Sequence, residues 1–270
     1  MPILNKDMTV CISLAGRPSN LGTRFHNYLY DELGLNFIYK AFTTSSIEDA
    51  IAGVRGLGIR GCSVSMPFKE AVLELVDVVE HSAAAIESVN TIVNNDGVLA
   101  ASNTDYEAVA DLIARHQLDP SLPVLVRGSG GMAKAVVAAF HGAGFTDLTV
   151  LARNVDAGEA LATKYGYRAV TVDPQPGHAV IVNVTPLGMA GDAADELAFT
   201  PDHIRAAQTV FDVVAFPAET PLIRAARDAG KLVITGAEVI ALQAAAQFVR
   251  YTGVTPTPEQ IARASAFSRE

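Results

Sequence analysis

The chain has 270 residues, 50% of them hydrophobic and 18% charged, with 20 basic against 29 acidic side chains and a formal net charge of −9. That composition excludes a disordered or linker protein, and an acidic surface excludes the basic footprint that a nucleic-acid partner requires. Two cysteines, Cys11 and Cys62, without a CxxC pair exclude a disulfide scaffold and a cysteine-built zinc site, while a start with no basic leader and no apolar run near the roughly 18 residues of a membrane span predict a cytoplasmic chain with no membrane partner.

In chain order, residues 8–14 read as a strand, and a loop rich in Gly, Pro, Ser and Asn leads to a helical face over residues 24–33. Residues 37–42 are strand-like, 46–57 helical and 59–65 strand-like again. Pro67 suits the first turn of a helix running through Leu75, where its missing N–H costs nothing. Residues 90–93 and 98–101 flank Asn94-Asn95-Asp96-Gly97, the chemistry of a tight hairpin. A helix after Asp105 opens a second block, in which the short apolar strands 124–127, 148–153, 179–184, 209–214 and 231–235 alternate with helical stretches. Such alternation implies a mainly parallel, doubly wound sheet. The tail, residues 237–251 and 257–268, is helical and Ala-rich with no strand left to serve, and is free to pack back on the first block. The predicted class is α/β with two domains, residues 1–104 plus 237–270 and residues 105–236.

The strongest local signal lies in residues 124–135. A β-branched strand runs into Gly128-Ser129-Gly130-Gly131 and straight on into a helix through Met132 and Ala133. Glycines permit the sharp turn and let the main chain approach a pyrophosphate, and the helix start supplies unpaired N–H donors with a partial positive charge. Strand before and helix after give the turn the context of a dinucleotide site. The next strand ends in Leu151-Ala152-Arg153-Asn154, where an acidic residue would bind the ribose diol of NAD. Arg153 instead offers a planar donor to a 2′-phosphate, so NADP is favoured over NAD. Asp156 reads as a first-turn carboxylate of the following helix.

With these segments in hand, the sequence resembles the shikimate dehydrogenase family, and within it the shikimate dehydrogenase-like branch, over almost the whole chain. Val64-Ser65-Met66-Pro67-Phe68-Lys69-Glu70 resembles the family's catalytic-lysine segment, and Ser88-Val89-Asn90-Thr91 and Asn103-Thr104-Asp105 resemble its next two substrate-side motifs. The glycine turn and Asn183-Val184-Thr185-Pro186-Leu187-Gly188-Met189 match its nucleotide-side motifs. Gln243 falls where the family places a late substrate-binding glutamine. The resemblance implies a Rossmann-like nucleotide domain and an NADP-dependent oxidoreductase that interconverts a ring ketone and its alcohol. It implies Lys69 and Asp105 as the catalytic pair, and Ser65, Asn90 and Gln243 on the substrate. Asn154, Asn183, Thr185, Val213 and Gly236 join the glycine turn and Arg153 on the nucleotide.

The chemistry stands apart from the name. Hydride addition to a ketone leaves an alkoxide that a positioned acid must protonate. In a lysine–carboxylate pair, desolvation favours the neutral amine and the carboxylate favours the ammonium, a balance suited to proton exchange. Read alone, a helix lysine snorkels and Asp105 caps the helix that follows it; with Asn90 beside them, the pair is expected to be catalytic.

The substrate side departs from the family. Members that act on shikimate carry two serines for the ring carboxylate in a loop that here reads Gly16-Arg17-Pro18-Ser19-Asn20-Leu21-Gly22-Thr23-Arg24-Phe25-His26-Asn27. Counting back from His26, the serine positions become Asn20 and Gly22; counting forward from Pro18, they become Gly22 and Arg24. Ser19, Thr23 and Arg24 remain as donors. The family's tyrosine after Phe211-Asp212 is replaced by Ala215. The reaction expected is therefore that of 3-dehydroshikimate and shikimate or a related cyclic hydroxy acid, with shikimate a poor substrate. Quinate or a substituted shikimate is the alternative substrate, and a non-catalytic dinucleotide-binding regulator the alternative class. His26 reads as a packed helix histidine; no metal is expected, and the assembly is a monomer or homodimer.

Overall fold

The computed structural model describes residues 4–270, so the reading of the start as leaderless falls partly, at residues 1–3, outside the described residues. The chain separates into two compact units, one comprising residues up to Thr104 with Ala241–Glu270, the other Asp105–Ile240.

In the first unit the chain runs β1 (Thr9–Leu14), α1 (Leu21–Glu32), β2 (Phe37–Phe42), α2 (Ile47–Gly56), β3 (Gly61–Val64), β4 (Val78–Val79), α3 (His81–Ile86), β5 (Thr91–Asn95) and β6 (Val98–Ser102). Among the described residues these strands form one six-stranded sheet in the order β2-β1-β3-β5-β6-β4. Strands β1, β2 and β3 are parallel, and β5 is antiparallel to both β3 and β6. Side chains alternate across the sheet, so neighbours in sequence enter different cores. Ile12, Cys62, Val64 and Ile92 pack with Ile51 and Val54 of α2 on one face. Cys11, Tyr39 and Val93 pack on the other with Phe25 and Leu29 of α1 and with Phe248, Tyr251 and Ala264 from the end of the chain. The β5–β6 turn takes left-handed backbone at Asp96 (φ 51°) and Gly97 (φ 92°), as the right-handed twist of a tight hairpin requires.

The rest of the chain runs α4 (Thr104–Arg115), β7 (Val124–Arg127), α5 (Gly131–Gly142), β8 (Leu148–Leu151), α6 (Val155–Lys164), β9 (Arg168–Val170), β10 (Val180–Asn183), α7 (Pro201–Ala206), β11 (Thr209–Asp212), α8 (Pro221–Asp228), β12 (Leu232–Thr235), α9 (Gly236–Thr252) and α10 (Pro258–Ser268). The second sheet, wholly parallel, has the order β12-β11-β10-β7-β8-β9. This is the doubly wound arrangement: the order reverses between β7 and β10, and the crevice for a ligand opens at the carboxyl ends of those two strands. Helix starts are written locally. Asn154, Thr200, Thr220 and Thr257 each accept the N–H three residues on, and Pro201, Pro221 and Pro258 fill first-turn positions that need no donor.

Three local readings differ from the structure. The helix expected from Pro67 to Leu75 is a turn followed by a short 3-10 helix, Ala71–Leu75. The carbonyl of Lys69 accepts the N–H of Val89 (2.7 Å), and the N–H of Leu73 goes to Glu70 instead (3.1 Å), so an α-helical ladder does not form. Helix α1 begins at Leu21 rather than at residue 24, which moves Gly22 and Thr23 from a loop into a helical first turn. Strand β3 starts at Gly61 rather than at residue 59, and Gly61 has a packing reason to be glycine: a Cβ there would run into the Tyr251 ring. Strands β4 and β9 and helix α3, at two, three and six residues, are too short to show a period in the sequence.

Candidate active site

In the first unit the expected substrate residues gather at the carboxyl ends of β1 and β3 and at the start of β5. Ser65 follows β3, its N–H bonded to the Leu14 carbonyl (2.9 Å), and the next N–H back, on Val64, bonds the carbonyl of Asn90 (2.8 Å). Asn90 is buried, and its N–H is held by Ser102 O at 3.2 Å. Its side-chain oxygen accepts from the N–H of Thr104 at 2.8 Å and from the hydroxyl of Thr91 at 2.8 Å. A backbone N–H can only donate, so Oδ1 must face Thr104 and the amide Nδ2 must face the other way. No hydrogen bond within the described residues engages Nδ2, which leaves a donor to spare. The single hydroxyl hydrogen of Thr104 lies between Asn90 Oδ1 (3.2 Å) and Gln243 Oε1 (3.4 Å), which brings Gln243 into the same group. Lys69, half-buried, is tied to this group through its carbonyl, and Asp105 is the residue directly after Thr104, in the first turn of α4.

The first turn of α1 supplies the remaining expected contacts. Asn20 stands at the N-cap position without a side-chain capping bond. Gly22 faces the phenol of Tyr39, whose oxygen would lie 3.5 Å from an added Cβ, and that hydroxyl shares a short hydrogen bond with Ser63. Thr23 Oγ1 is buried with no hydrogen-bond partner among the described residues, and Arg24 is half-buried. His26 is wholly buried, stacked 4.4 Å from Tyr39, with Phe248 at 6.1 Å. Burial pushes its imidazole down to about 3, which leaves it a neutral packing group. The expectation of a packed histidine holds.

In the second unit the glycine turn sits at the strand reversal. Gly128 takes φ +124°, and a Cβ there would press on Val184 Cγ2 at 2.8 Å and Val184 O at 3.2 Å, so this glycine closes the turn against the end of β10. Gly130 and Gly131 have nothing within 4 Å of an added Cβ, and Gly130 caps α5 with no side chain. The first-turn N–H groups of α5, Met132 and Ala133 among them, have no side-chain cap, and such donors at a helix start are what a pyrophosphate fits. Arg153 is exposed just past β8. Arg127, the residue before the turn, pairs with Asp173 and lies 5.4 Å above the Phe199 ring.

Three residues expected on the nucleotide do positioning work in this geometry. Asn183 is saturated: Oδ1 accepts from Thr185 N (3.0 Å) and Thr185 Oγ1 (2.6 Å), while Nδ2 donates to Leu187 O (3.1 Å) and Asp212 Oδ1 (3.0 Å). Asn154 is the cap of α6, accepting from Ala157 N at 3.1 Å. Gly236 packs against the carbonyls of Val213 and Val214, which any Cβ would strike. Sequence reasoning missed Asp212, fully buried at the end of β11, which accepts from Asn183, from Val214 N (3.1 Å) and from Thr220 Oγ1 (2.6 Å). Burial pushes its carboxyl up, against the pull of those donors. The signal was there, since an Asp closing an apolar strand eight residues before a Thr-Pro helix start needs a donor set.

These features define a class: a two-unit α/β protein, one half of which is a Rossmann-like sheet with a glycine turn at its reversal point. A family profile described as the shikimate dehydrogenase substrate-binding domain matches residues 19–92. A shikimate dehydrogenase-like protein from Haemophilus influenzae is 56% identical over 99% of both chains. The NADP(+) shikimate dehydrogenase of Pyrococcus abyssi is 32% identical over 93% of this chain and 96% of its own. Among solved structures, a shikimate 5-dehydrogenase-like protein superposes with a TM-score of 0.97 at 56% identity, covering 99% of this chain and 100% of the other. A shikimate 5-dehydrogenase from Thermus thermophilus in complex with NADP(H) and shikimate gives 0.86 at 28% identity, over 97% and 100%. The chain belongs to the shikimate dehydrogenase family, in its shikimate dehydrogenase-like branch.

Proposed function

We propose that the chain is an NADP-dependent oxidoreductase of the shikimate dehydrogenase type, acting on a ring alcohol or ketone that carries a carboxylate. The observation that carries this reading is the pair of hydrogen bonds linking Lys69 O to Val89 N (2.7 Å) and Asn90 Oδ1 to Thr104 N (2.8 Å). They join the segments bearing Lys69, Asn90 and Asp105, three functional types that acid–base chemistry at a secondary alcohol needs.

NADP, when bound, supplies or takes up the hydride. The chain's residues do the rest. Lys69 Nζ gives a proton to the substrate oxygen in the reducing direction and takes it back in the other, with the Asp105 carboxylate as its partner. Asn90 Nδ2 donates to a substrate oxygen and fixes the ring's orientation, and Gln243 and Ser65 add polar contacts to its hydroxyls. Arg153 pairs the 2′-phosphate, and the open N-terminus of α5 receives the pyrophosphate.

The carboxylate end is where this chain differs. Asn20 and Gly22 place no hydroxyl in the first turn of α1, and Ala215 places no phenol. Thr23 and Arg24 are the donors left to read a carboxylate. Shikimate is then a poor substrate, with quinate or a substituted shikimate the alternative. Steady-state oxidation of a panel of ring alcohols with NADP and with NAD tests this. Turnover with NADP on at least one ring acid is expected; dinucleotide binding with no turnover on any would mark a regulator instead.

A further inference from the structure

Helix α9 carries a second glutamine that neither the sequence reading nor the proposed reaction uses. Gln247 lies one helical turn beyond Gln243, so the two share a face. It is 5% exposed in a stretch otherwise made of Ala, Phe and Val. A buried amide must be hydrogen-bonded, and this one reaches across the unit to β5. Gln247 Nε2 donates to the backbone carbonyl of Asn90 (3.3 Å) and to Thr91 Oγ1 (3.0 Å).

The directions of these bonds follow one from another. The Asn90 carbonyl can only accept, so the Gln247 atom facing it is the nitrogen. Asn90 Oδ1 can only accept, so the Thr91 hydroxyl donates to it across 2.8 Å, while the Gln247 nitrogen donates to a lone pair of the same Thr91 oxygen. Asn90 Oδ1 also receives the Thr104 N–H at 2.8 Å. Without Gln247 the Thr91 hydroxyl is free to turn its hydrogen away, and Asn90 Oδ1 then keeps the Thr104 N–H with a weaker hold on the amide's orientation.

We infer that Gln247, acting through Thr91, is a positioning residue that reinforces the hold of the Thr104 N–H on Asn90, keeping its amide nitrogen outward so that the site reads substrate oxygens as acceptors. This role rests on the proposed function only for the activity arm of its test.

Two arms separate the relay from the reaction. In 15N-labelled protein, the Asn90 side-chain amide resonances, assigned by their loss in Asn90→Ala, report the hydrogen bonding of that amide with no substrate present. Gln247→Leu and Thr91→Val are expected to shift them, and Thr91→Ser to restore the native positions. Unmoved resonances in both variants overturn the relay, whatever the enzyme does. In the activity arm, on the ring alcohol the wild type turns over best, Gln247→Leu is expected to lower kcat/KM about tenfold, as loss of one hydrogen bond does, with NADP affinity unchanged. In an Asn90→Ala background the same substitution should cost nothing further. Equal losses in the two backgrounds would make Gln247 a stability residue and overturn the proposal. Should no ring alcohol be turned over by the wild type, the proposed function falls and the resonances alone decide the relay.

Discussion

At Lys69 a half-buried amine stands on a turn whose carbonyl is fixed by Val89, so its side chain springs from a rigid base. Lys69→Ala is expected to reduce turnover about 100-fold or more while leaving dinucleotide affinity unchanged, as removal of a general acid does. Stopped-flow or steady-state rates beside NADP titration by fluorescence check both halves. Arg153 bears on cofactor choice alone: Arg153→Ala should weaken NADP far more than NAD, because only NADP offers a phosphate to the guanidinium. Equal losses for the two cofactors would remove Arg153 from that role. His26 bears on stability instead. Its imidazole is held neutral down to about 3 in the folded chain, against an ordinary value of 6.5. Between those values the unfolded chain binds a proton that the folded one refuses, so stability falls as pH drops below 6.5, by at most ~1.4 kcal/mol per pH unit. Denaturant midpoints from pH 7 to pH 4 should show this slope, and His26→Phe, which keeps a flat ring against Tyr39, should flatten it.

Among the elements, the segment after β11 shows how an irregular stretch is held in one shape. Asp212 bonds Asn183, Val214 N and Thr220, so a single carboxylate ties β10, the segment and the start of α8. Gly236 closes the other side by packing against the carbonyls of Val213 and Val214. Backbone on both sides of that contact cannot yield cheaply. Gly236→Ala is therefore expected to cost about 1–3 kcal/mol, the range for overpacking a tight core. It should also raise KM for the dinucleotide, since Val213 is an expected nucleotide contact. A denaturation midpoint equal to wild type would mean the segment moves aside freely.

On the scale of the whole molecule, the chain keeps the fold of its family, and the proposed difference lies at the carboxylate end of the substrate. The hydrogen bonds that organise Lys69, Asn90 and Thr104 are in place, while Asn20 and Gly22 at the start of α1 carry no hydroxyl. Asn20→Ser with Gly22→Ser should improve oxidation of shikimate, mostly through KM, with each recovered bond to a charged group contributing roughly 1.5–3 kcal/mol. Space permits it: an added Cβ at Gly22 meets only the Tyr39 phenol at ordinary contact distance. If the double variant leaves shikimate kinetics unchanged, the carboxylate is read elsewhere.

The sequence by itself determined the alternation of strand and helix, the α/β class, the hairpin at Asp96-Gly97, the glycine turn and the helix start at Thr257. All of these follow from chemistry within a few residues: apolar period, φ > 0 at a turn, a hydroxyl three residues before an N–H. Lys69, Asn90, Asp105 and Gln243 were legible because their neighbours form motifs. What each polar atom does was decided by the tertiary structure alone. Asn183 proved to be a saturated brace, Gly236 a packing contact and the stretch after Pro67 a turn, because their partners come from Asp212, Val213 and Val89. Gln247 reaches Asn90 across 157 positions of sequence. A hydrogen bond is short-ranged in space and indifferent to separation along the chain, so its direction is known only once packing has brought donor and acceptor together.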